Sequence, residues 1–240
     1  MSTATQVQHG MSPQVKHGVT RWAVRETMGI VMLALMLFLA AGTVNWIAGW
    51  AMVIVMAGWV TATAIVVIPR YPELLAERVG PKKGAKTWDT VLLSLYGVAM
   101  MIMWIMAGLD LRYRWSSGIG PVAQIGAMLI VIAGYALVVW ATGVNAFFSQ
   151  VVRIQTERGH TVVSSGPYQY VRHPAYVGMI LVVLGAPIML GSWWALIPGV
   201  ISAILVTVRT TLEDRTLQTE LPGYAEYAQH VRYRLVPGVW

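Results

Sequence analysis

Between Glu26 and Arg70 the chain carries no ionisable side chain. A membrane-crossing helix needs roughly 20 consecutive apolar residues, so this interval holds two, joined by the uncharged turn Gly42-Thr-Val-Asn-Trp-Ile-Ala-Gly49. In lipid every backbone N–H and C=O needs a partner within the protein, which makes the helix the natural spanning form for such segments. The whole composition points the same way. Hydrophobic residues make up 57% of the chain and charged residues 11%, with a mean hydropathy of +0.61, against about 25% charged residues in a soluble domain. No cysteine is present, which excludes disulfides, thiolate nucleophiles and cysteine-ligated metals.

Six apolar stretches are expected to span the bilayer, roughly Met28–Ala41, Trp46–Ile68, Val91–Leu109, Val122–Ala141, Tyr176–Leu190 and Trp194–Val208. The first and fifth are short, and extend into their flanks or tilt. Tight turns make helical hairpins of the first pair and of the last pair, the latter through Gly191-Ser-Trp-Trp194. Gly126, Gly134 and Ala141 on the fourth stretch allow close helix approach. The expected fold class is therefore an all-α integral membrane protein of about six transmembrane helices, in one domain over residues 1–240. Residues 1–25 read as a flexible polar tail ending in an interfacial turn at Arg21–Arg25, 26–141 as a four-span scaffold, and 142–240 as a polar region built around the second hairpin. The first apolar run is too long for a secretory signal and has no convincing small-residue cleavage site.

The net charge of +7 suggests nucleic acid only until its distribution is considered. Fifteen of the 17 Lys and Arg residues fall in the N-terminal tail, the second loop (Arg70, Arg78, Lys82, Lys83, Lys86), the connection between spans four and five (Arg153, Arg158, Arg172) and the C-terminal end. Arg112 and Arg114 alone lie on the other side. That is a topology signal rather than a nucleic-acid face, and it places both termini in the cytoplasm.

Two segments rich in ionisable residues flank the second hairpin. Gly166-Pro-Tyr-Gln-Tyr-Val-Arg-His-Pro-Ala-Tyr176 precedes it and Arg209-Thr-Thr-Leu-Glu-Asp214 follows it. Ionisable residues are costly at a membrane edge, so such a cluster is a candidate functional site. The hairpin arms are antiparallel, which brings both segments to one edge. The i, i+4 spacing sets Arg209 and Glu213 on one helix face, and Pro174 suits a first helical turn while forcing His173 out of helical geometry. Taken singly, these residues also fit anchoring, with Arg snorkelling and Tyr168, Tyr170 and Tyr176 forming a belt. Anchoring does not require the whole string. In the tail, Tyr224, Tyr227 and Val231 recur at helical spacing and read as an amphipathic helix at the interface, started by Leu221-Pro-Gly and stopped by Pro237-Gly238.

The strings His160-Thr-Val-Val163, Gly166-Pro-Tyr168, Arg172-His-Pro-Ala-Tyr176 and Arg209-Thr-Thr-Leu-Glu-Asp214 resemble, in order and spacing, the isoprenylcysteine carboxyl methyltransferase family of integral membrane enzymes. The resemblance runs from about Asn145 to the C-terminus and covers the first four spans only as general architecture. It implies S-adenosyl-L-methionine as cofactor, with His160, Thr161, Val162, Val163, Tyr168, His173, Pro174, Ala175, Tyr176 and Glu213 at the cofactor site and Arg209 as the catalytic residue on the substrate side. Val162 stands for a family Leu and Asp214 for a second Glu, and Gln155 lies near a family cofactor-side Gln. The chemistry is compatible. Glu213 can pair with the cofactor's ammonium, Tyr168 and Tyr176 can hold its sulfonium by cation–π contact, and methyl transfer needs positioning more than a side-chain nucleophile. The implied partners are a lipophilic small-molecule or lipid-like acceptor and membrane lipids, not nucleic acid.

Two other readings fit parts of the pattern. Membrane sterol or isoprenoid reductases that use NADPH have a similar Arg-His-Pro-x-Tyr hairpin. A non-enzymatic scaffold or transporter should instead carry ionisable residues near span midplanes, whereas here they sit at the edges. His9, His17 and His230 do not cluster with acids in sequence, so no metal site is expected, and no Gly-x-Gly-x-x-Gly follows a strand pattern.

Overall fold

The computed structural model describes residues 11–80 and 84–240; His9, Lys82 and Lys83 lie outside them. The described residues form helices α1 (Pro13–Ala41), α2 (Ile47–Val67), α3 (Pro72–Arg78), α4 (Thr87–Tyr113), α5 (Pro121–Val144), α6 (Pro174–Met189), α7 (Leu196–Glu220) and α8 (Tyr224–His230), with no strand among them. Five helices are long and apolar enough to cross a membrane, and α6 is a shorter apolar sixth. At 16 residues α6 rises only about 24 Å, less than the roughly 30 Å hydrocarbon core. Large side chains such as Ile47, Ile54, Val122 and Leu129 point outward, as lipid-facing surface does. Leu37, Met52, Met103, Val131 and Ala186 fill the bundle's centre.

Span one is longer than expected. Residues 13–25 are helical rather than a loose tail, because Ser12 caps the first turn through the Val15 N–H at 3.3 Å and Pro13 fixes its geometry. This lower part of α1 is held by α3: Trp22 packs with Val67, Leu74 and Leu75, and Gly18 leaves room for Ala76. Span six also continues, as one helix, to Glu220. The fold therefore carries Glu213 and Asp214 on a rigid element rather than in a polar tail.

Helices α5 and α6 make the closest crossing. A Cβ at Gly134 would lie 2.7 Å from the Gly178 carbonyl oxygen, and a Cβ at Gly178 would strike the Gly134 carbonyl in turn. Ala141 is fully buried along the same seam, whereas Gly126 meets nothing within 4 Å and plays no part in packing. At the far end, buried Asp110 accepts from the Ser116 N–H at 2.6 Å and from the Ser116 and Ser192 hydroxyls, tying the α4–α5 loop to the α6–α7 turn. At the near end, α3, the 145–173 connection and the C-terminal residues gather: Lys86 pairs with Glu220 at 2.6 Å, and Arg153 pairs with Glu77 at 3.1 Å.

The α5–α6 seam yields a direct test. Gly178→Leu should lower stability by about 1–3 kcal/mol or prevent folding through overpacking, while Gly126→Leu should leave the thermal midpoint in detergent close to that of the unmodified protein. Equal midpoints for the two variants would contradict the seam.

Candidate active site

Asp214 is fully buried, and a carboxylate in that position must be paired. Its oxygens accept from Arg172 at 2.7 and 2.9 Å, from Arg234 at 2.9 Å, from Gln218 at 2.7 Å and from the Tyr224 hydroxyl at 3.1 Å; His173 Nε2 lies 3.2 Å away. Arg172 is equally enclosed and does not snorkel. Its Nη1 donates to the carbonyls of Val231 and Arg232 at 2.8 and 2.7 Å, and the N–H groups of Arg172 and His173 donate to the carbonyls of Tyr233 and Arg234. Burial works to lower the Arg172 pKa, but the bonds and charge of Asp214 prevail and hold it above the ordinary value. This cluster fastens the chain's last ten residues across the start of α6.

Helix α8 turns its aromatic face into the protein. Tyr224 and Tyr227 turn inward, the latter donating to the Tyr168 carbonyl at 2.6 Å. The helix ends at His230, well before Pro237-Gly238.

Beside the cluster a narrow cleft of about 60 Å³ is lined by His160, Thr161, Val162 and Val163 on one side, by Tyr168, Ala175, Tyr176 and Glu213 on another, and by Tyr224 and Tyr227 on the α8 side. His173 lines it too, but its Nε2 is turned to Asp214 and its ring stacks on Tyr176 at 5.7 Å. Pro174 opens α6 just behind the wall and is not part of the lining. Glu213 accepts from the Tyr176 hydroxyl alone among the described residues, so its remaining lone pairs are available. Burial raises the Tyr168 pKa, and its hydroxyl accepts from Asn145 at 3.1 Å. His160 stacks on Phe147 at 4.6 Å and its Nδ1 accepts the Gln155 N–H at 3.3 Å. Burial, and then the charges of Arg158 and Arg153, push its pKa down to about 4, so the ring is neutral at physiological pH. Gln155 itself is fully buried and braces the loop by donating to the Phe147 carbonyl at 2.7 Å; it does not line the cleft.

A second space, about 460 Å³, runs inside the helix bundle. Its walls are apolar side chains such as Met56, Leu93, Met100 and Val182, and its polar end holds Tyr176, Arg209, Gln150 and Arg78. Tyr176 lines both this cavity and the cleft. Arg209 is not free. It donates to Asp89 through Nε at 2.6 Å and Nη2 at 3.4 Å, and to the Gln150 carbonyl at 2.9 Å, with its guanidinium 5.3 Å from the Tyr176 ring centre. The cation on the Tyr176 face is therefore Arg209, not a position left open for a sulfonium. Asp89 is fully buried and also accepts the Val152 N–H at 2.7 Å. Sequence reasoning missed Asp89: it reads as an ordinary first-turn acid of α4, and nothing local links it to an arginine on α7. It missed Arg234 and Asn145 too, whose partners Asp214 and Tyr168 lie far from them in sequence.

These features define a multi-pass helical membrane protein with a polar site at one end of the bundle and an apolar cavity leading to it. Residues 126–219 match the model of the isoprenylcysteine carboxyl methyltransferase (ICMT) family. The protein-S-isoprenylcysteine O-methyltransferase of Rattus norvegicus is 32% identical over 164 residues, 63% of this chain and 52% of the relative. The corresponding protein of Schizosaccharomyces pombe is 41% identical over 46 residues, 19% of this chain and 20% of the relative. The cobalt-zinc-cadmium resistance protein CzcN of Cupriavidus metallidurans is 35% identical over 79 residues, covering 32% and 36%. The chain thus spans about half the length of the first relatives it matches. The solved structure of a eukaryotic intramembrane Ras methyltransferase, ICMT, superposes with a TM-score of 0.51 at 18% identity, covering 95% of this chain and 98% of that one; the fold is shared.

The Asp214 cluster predicts a large effect from a small change. Asp214→Asn leaves Arg172 and Arg234 without their anion and should cost about 3–5 kcal/mol, read as a lower thermal midpoint, with Asp214→Glu retaining part of the stability. A midpoint unchanged by Asp214→Asn would show that the cluster does not hold the site together.

Proposed function

We propose that this chain is an integral membrane methyltransferase that uses S-adenosyl-L-methionine and acts on a lipophilic acceptor, in the manner of an isoprenylcysteine carboxyl methyltransferase. The observation that carries this reading is the shared wall. Tyr176 faces both the cleft and the intramembrane cavity, and Arg209 and Glu213 stand on the same α7 face beside it. Two reactants of opposite character, one polar and one lipophilic, can meet only at such a wall.

The donor set of the cleft fits the cofactor. Glu213 offers a carboxylate with free lone pairs for an ammonium, Tyr168 an aromatic wall for a cation, and the 160–163 segment backbone groups for polar edges. When bound, the cofactor supplies an electrophilic methyl group. The cleft's 60 Å³ is below the roughly 300 Å³ usual for a ligand of that size, so binding requires the cleft to widen. Asp89 and the Tyr176 ring hold Arg209 in one orientation, leaving Nη1 as its unpartnered nitrogen among the described residues, to direct the acceptor's reacting group. Apolar cavity walls keep water from the methyl donor and accept the lipophilic portion. The NADPH reading has less support: the cleft's free polar group is a carboxylate, which repels a phosphate.

Both termini and the site are assigned to the cytoplasm by the asymmetry of Lys and Arg. A cysteine introduced at Ser12 should therefore resist impermeant reagents applied to intact cells and react after permeabilisation; labelling from outside would reverse the orientation.

Glu213→Gln and Arg209→Lys separate the two halves of the site. Loss of the Glu213 charge should weaken S-adenosylhomocysteine binding about ten- to hundredfold in calorimetry. Arg209→Lys should leave that affinity within about twofold and lower turnover on the order of a hundredfold, since a lysine cannot reproduce the forked contact with Asp89. If both variants bind and turn over normally, the shared wall is not the reaction centre.

A further inference from the structure

Arg209 enters the site already neutralised by Asp89, so it brings no net charge to an anionic acceptor. The cation that does is Arg78. It ends α3 at the polar mouth of the cavity, where Nε and Nη2 donate to the Phe148 carbonyl at 3.3 and 3.2 Å and the guanidinium lies 5.3 Å from the Phe148 ring centre. It makes no ion pair among the described residues. The acids near it are taken: Glu26 pairs with Arg25, and Glu77 pairs with Arg153 and accepts from Ser149. Burial, with Arg25 nearby, outweighs the attraction of Glu26 and lowers the Arg78 pKa to about 10, so it stays protonated at neutral pH but is poorly compensated.

Its position is particular. Arg78, Arg25 and Gln150 line both the intramembrane cavity and an open basin of about 500 Å³ outside it, whose remaining polar side chain is Arg21. The basin and cavity therefore share a threshold at which Arg78 is the cation without an ion pair among the described residues, next to the Arg25–Glu26 pair. Phe148, which Arg78 covers, is also part of the cleft wall. A charge held at Arg78 sits beside the proposed reaction centre, with apolar space on its other side for a chain.

We propose that Arg78, with Arg21 beside it, binds the anionic group, carboxylate or phosphate, of the lipophilic acceptor while its chain occupies the cavity. This rests on the methyltransferase reading above and assigns charge recognition to Arg78, leaving Arg209 to orient the reacting group. A buried cation paired only with a carbonyl gains a charge-assisted partner from such a ligand, and the apolar cavity makes recognition require both head and chain.

The test uses the full-length protein in a neutral detergent, with thermal stabilisation as readout. Four probes are titrated: laurate and dodecyl phosphate (anion with chain), monolaurin (chain without anion) and inorganic phosphate (anion without chain). The expected result is stabilisation by the first two at concentrations about tenfold or more below those needed for the others. Arg78→Gln should abolish that preference and Arg78→Lys largely restore it. Calorimetry with S-adenosylhomocysteine runs in parallel on each variant. Normal binding there shows an intact fold and donor site, and its loss in the unmodified protein would point to failure of the methyltransferase reading instead. Equal effects of laurate and monolaurin on the unmodified protein overturn the proposal without any variant. So does laurate preference that survives Arg78→Gln, and so does inorganic phosphate acting as well as dodecyl phosphate, which marks a site for free anions.

Discussion

One buried carboxylate organises the end of this bundle. Asp214 has no contact with solvent and is met by Arg172, Arg234, His173, Tyr224 and Gln218. These five come from four places in the chain: the entrance to α6 (Arg172 and His173), the C-terminal segment, α8 and the next turn of α7. Removing two charges from water is costly, and only full pairing offsets it. The arrangement is thus all-or-none. With Asp214 satisfied, Tyr176 and Glu213 are fixed on neighbouring faces, and the α8 tyrosines close the cleft.

The second buried pair, Asp89 with Arg209, works on the other side of the same wall. It ties the foot of α4 to α7 and, through the Val152 N–H and the Gln150 carbonyl, to the loop between α5 and α6. The glycine seam between α5 and α6 brings these elements near enough for both pairs to form. Packing in the apolar part of the bundle therefore sets the distances between the groups of the polar part. On the functional reading proposed here, the cofactor side is governed by Glu213 and the acceptor side by Arg209, with Tyr176 between them.

Much of this was legible in the sequence, and what was not has a physical explanation. The charge-free interval between Glu26 and Arg70, the hairpins and the convergence of Arg172–Tyr176 with Arg209–Asp214 all follow from local rules of periodicity, length and antiparallel geometry. Nine of the ten residues expected at the cofactor site line one cleft; Pro174 lies behind it. The helix over 13–25 was misread because its stability comes from α3, a tertiary partner, although Ser12-Pro13 was a local start signal. Asp214, read singly as an interfacial charge, proved central because its partners are spread from Arg172 to Arg234. Asp89 and Arg78 were opaque for the same reason: one gains its meaning from an arginine 120 residues later, the other from two cavities that exist only in the folded bundle.

The central claim is that the cleft beside Glu213 receives a methyl donor. Thermal stabilisation of the detergent-solubilised protein by S-adenosylhomocysteine, set against NADPH at equal concentration, tests it most directly. A ligand at a hundred times its dissociation constant contributes about 2.7 kcal/mol, enough to move the midpoint by several degrees. The account predicts that shift with S-adenosylhomocysteine and none with NADPH; stabilisation by NADPH alone would contradict it.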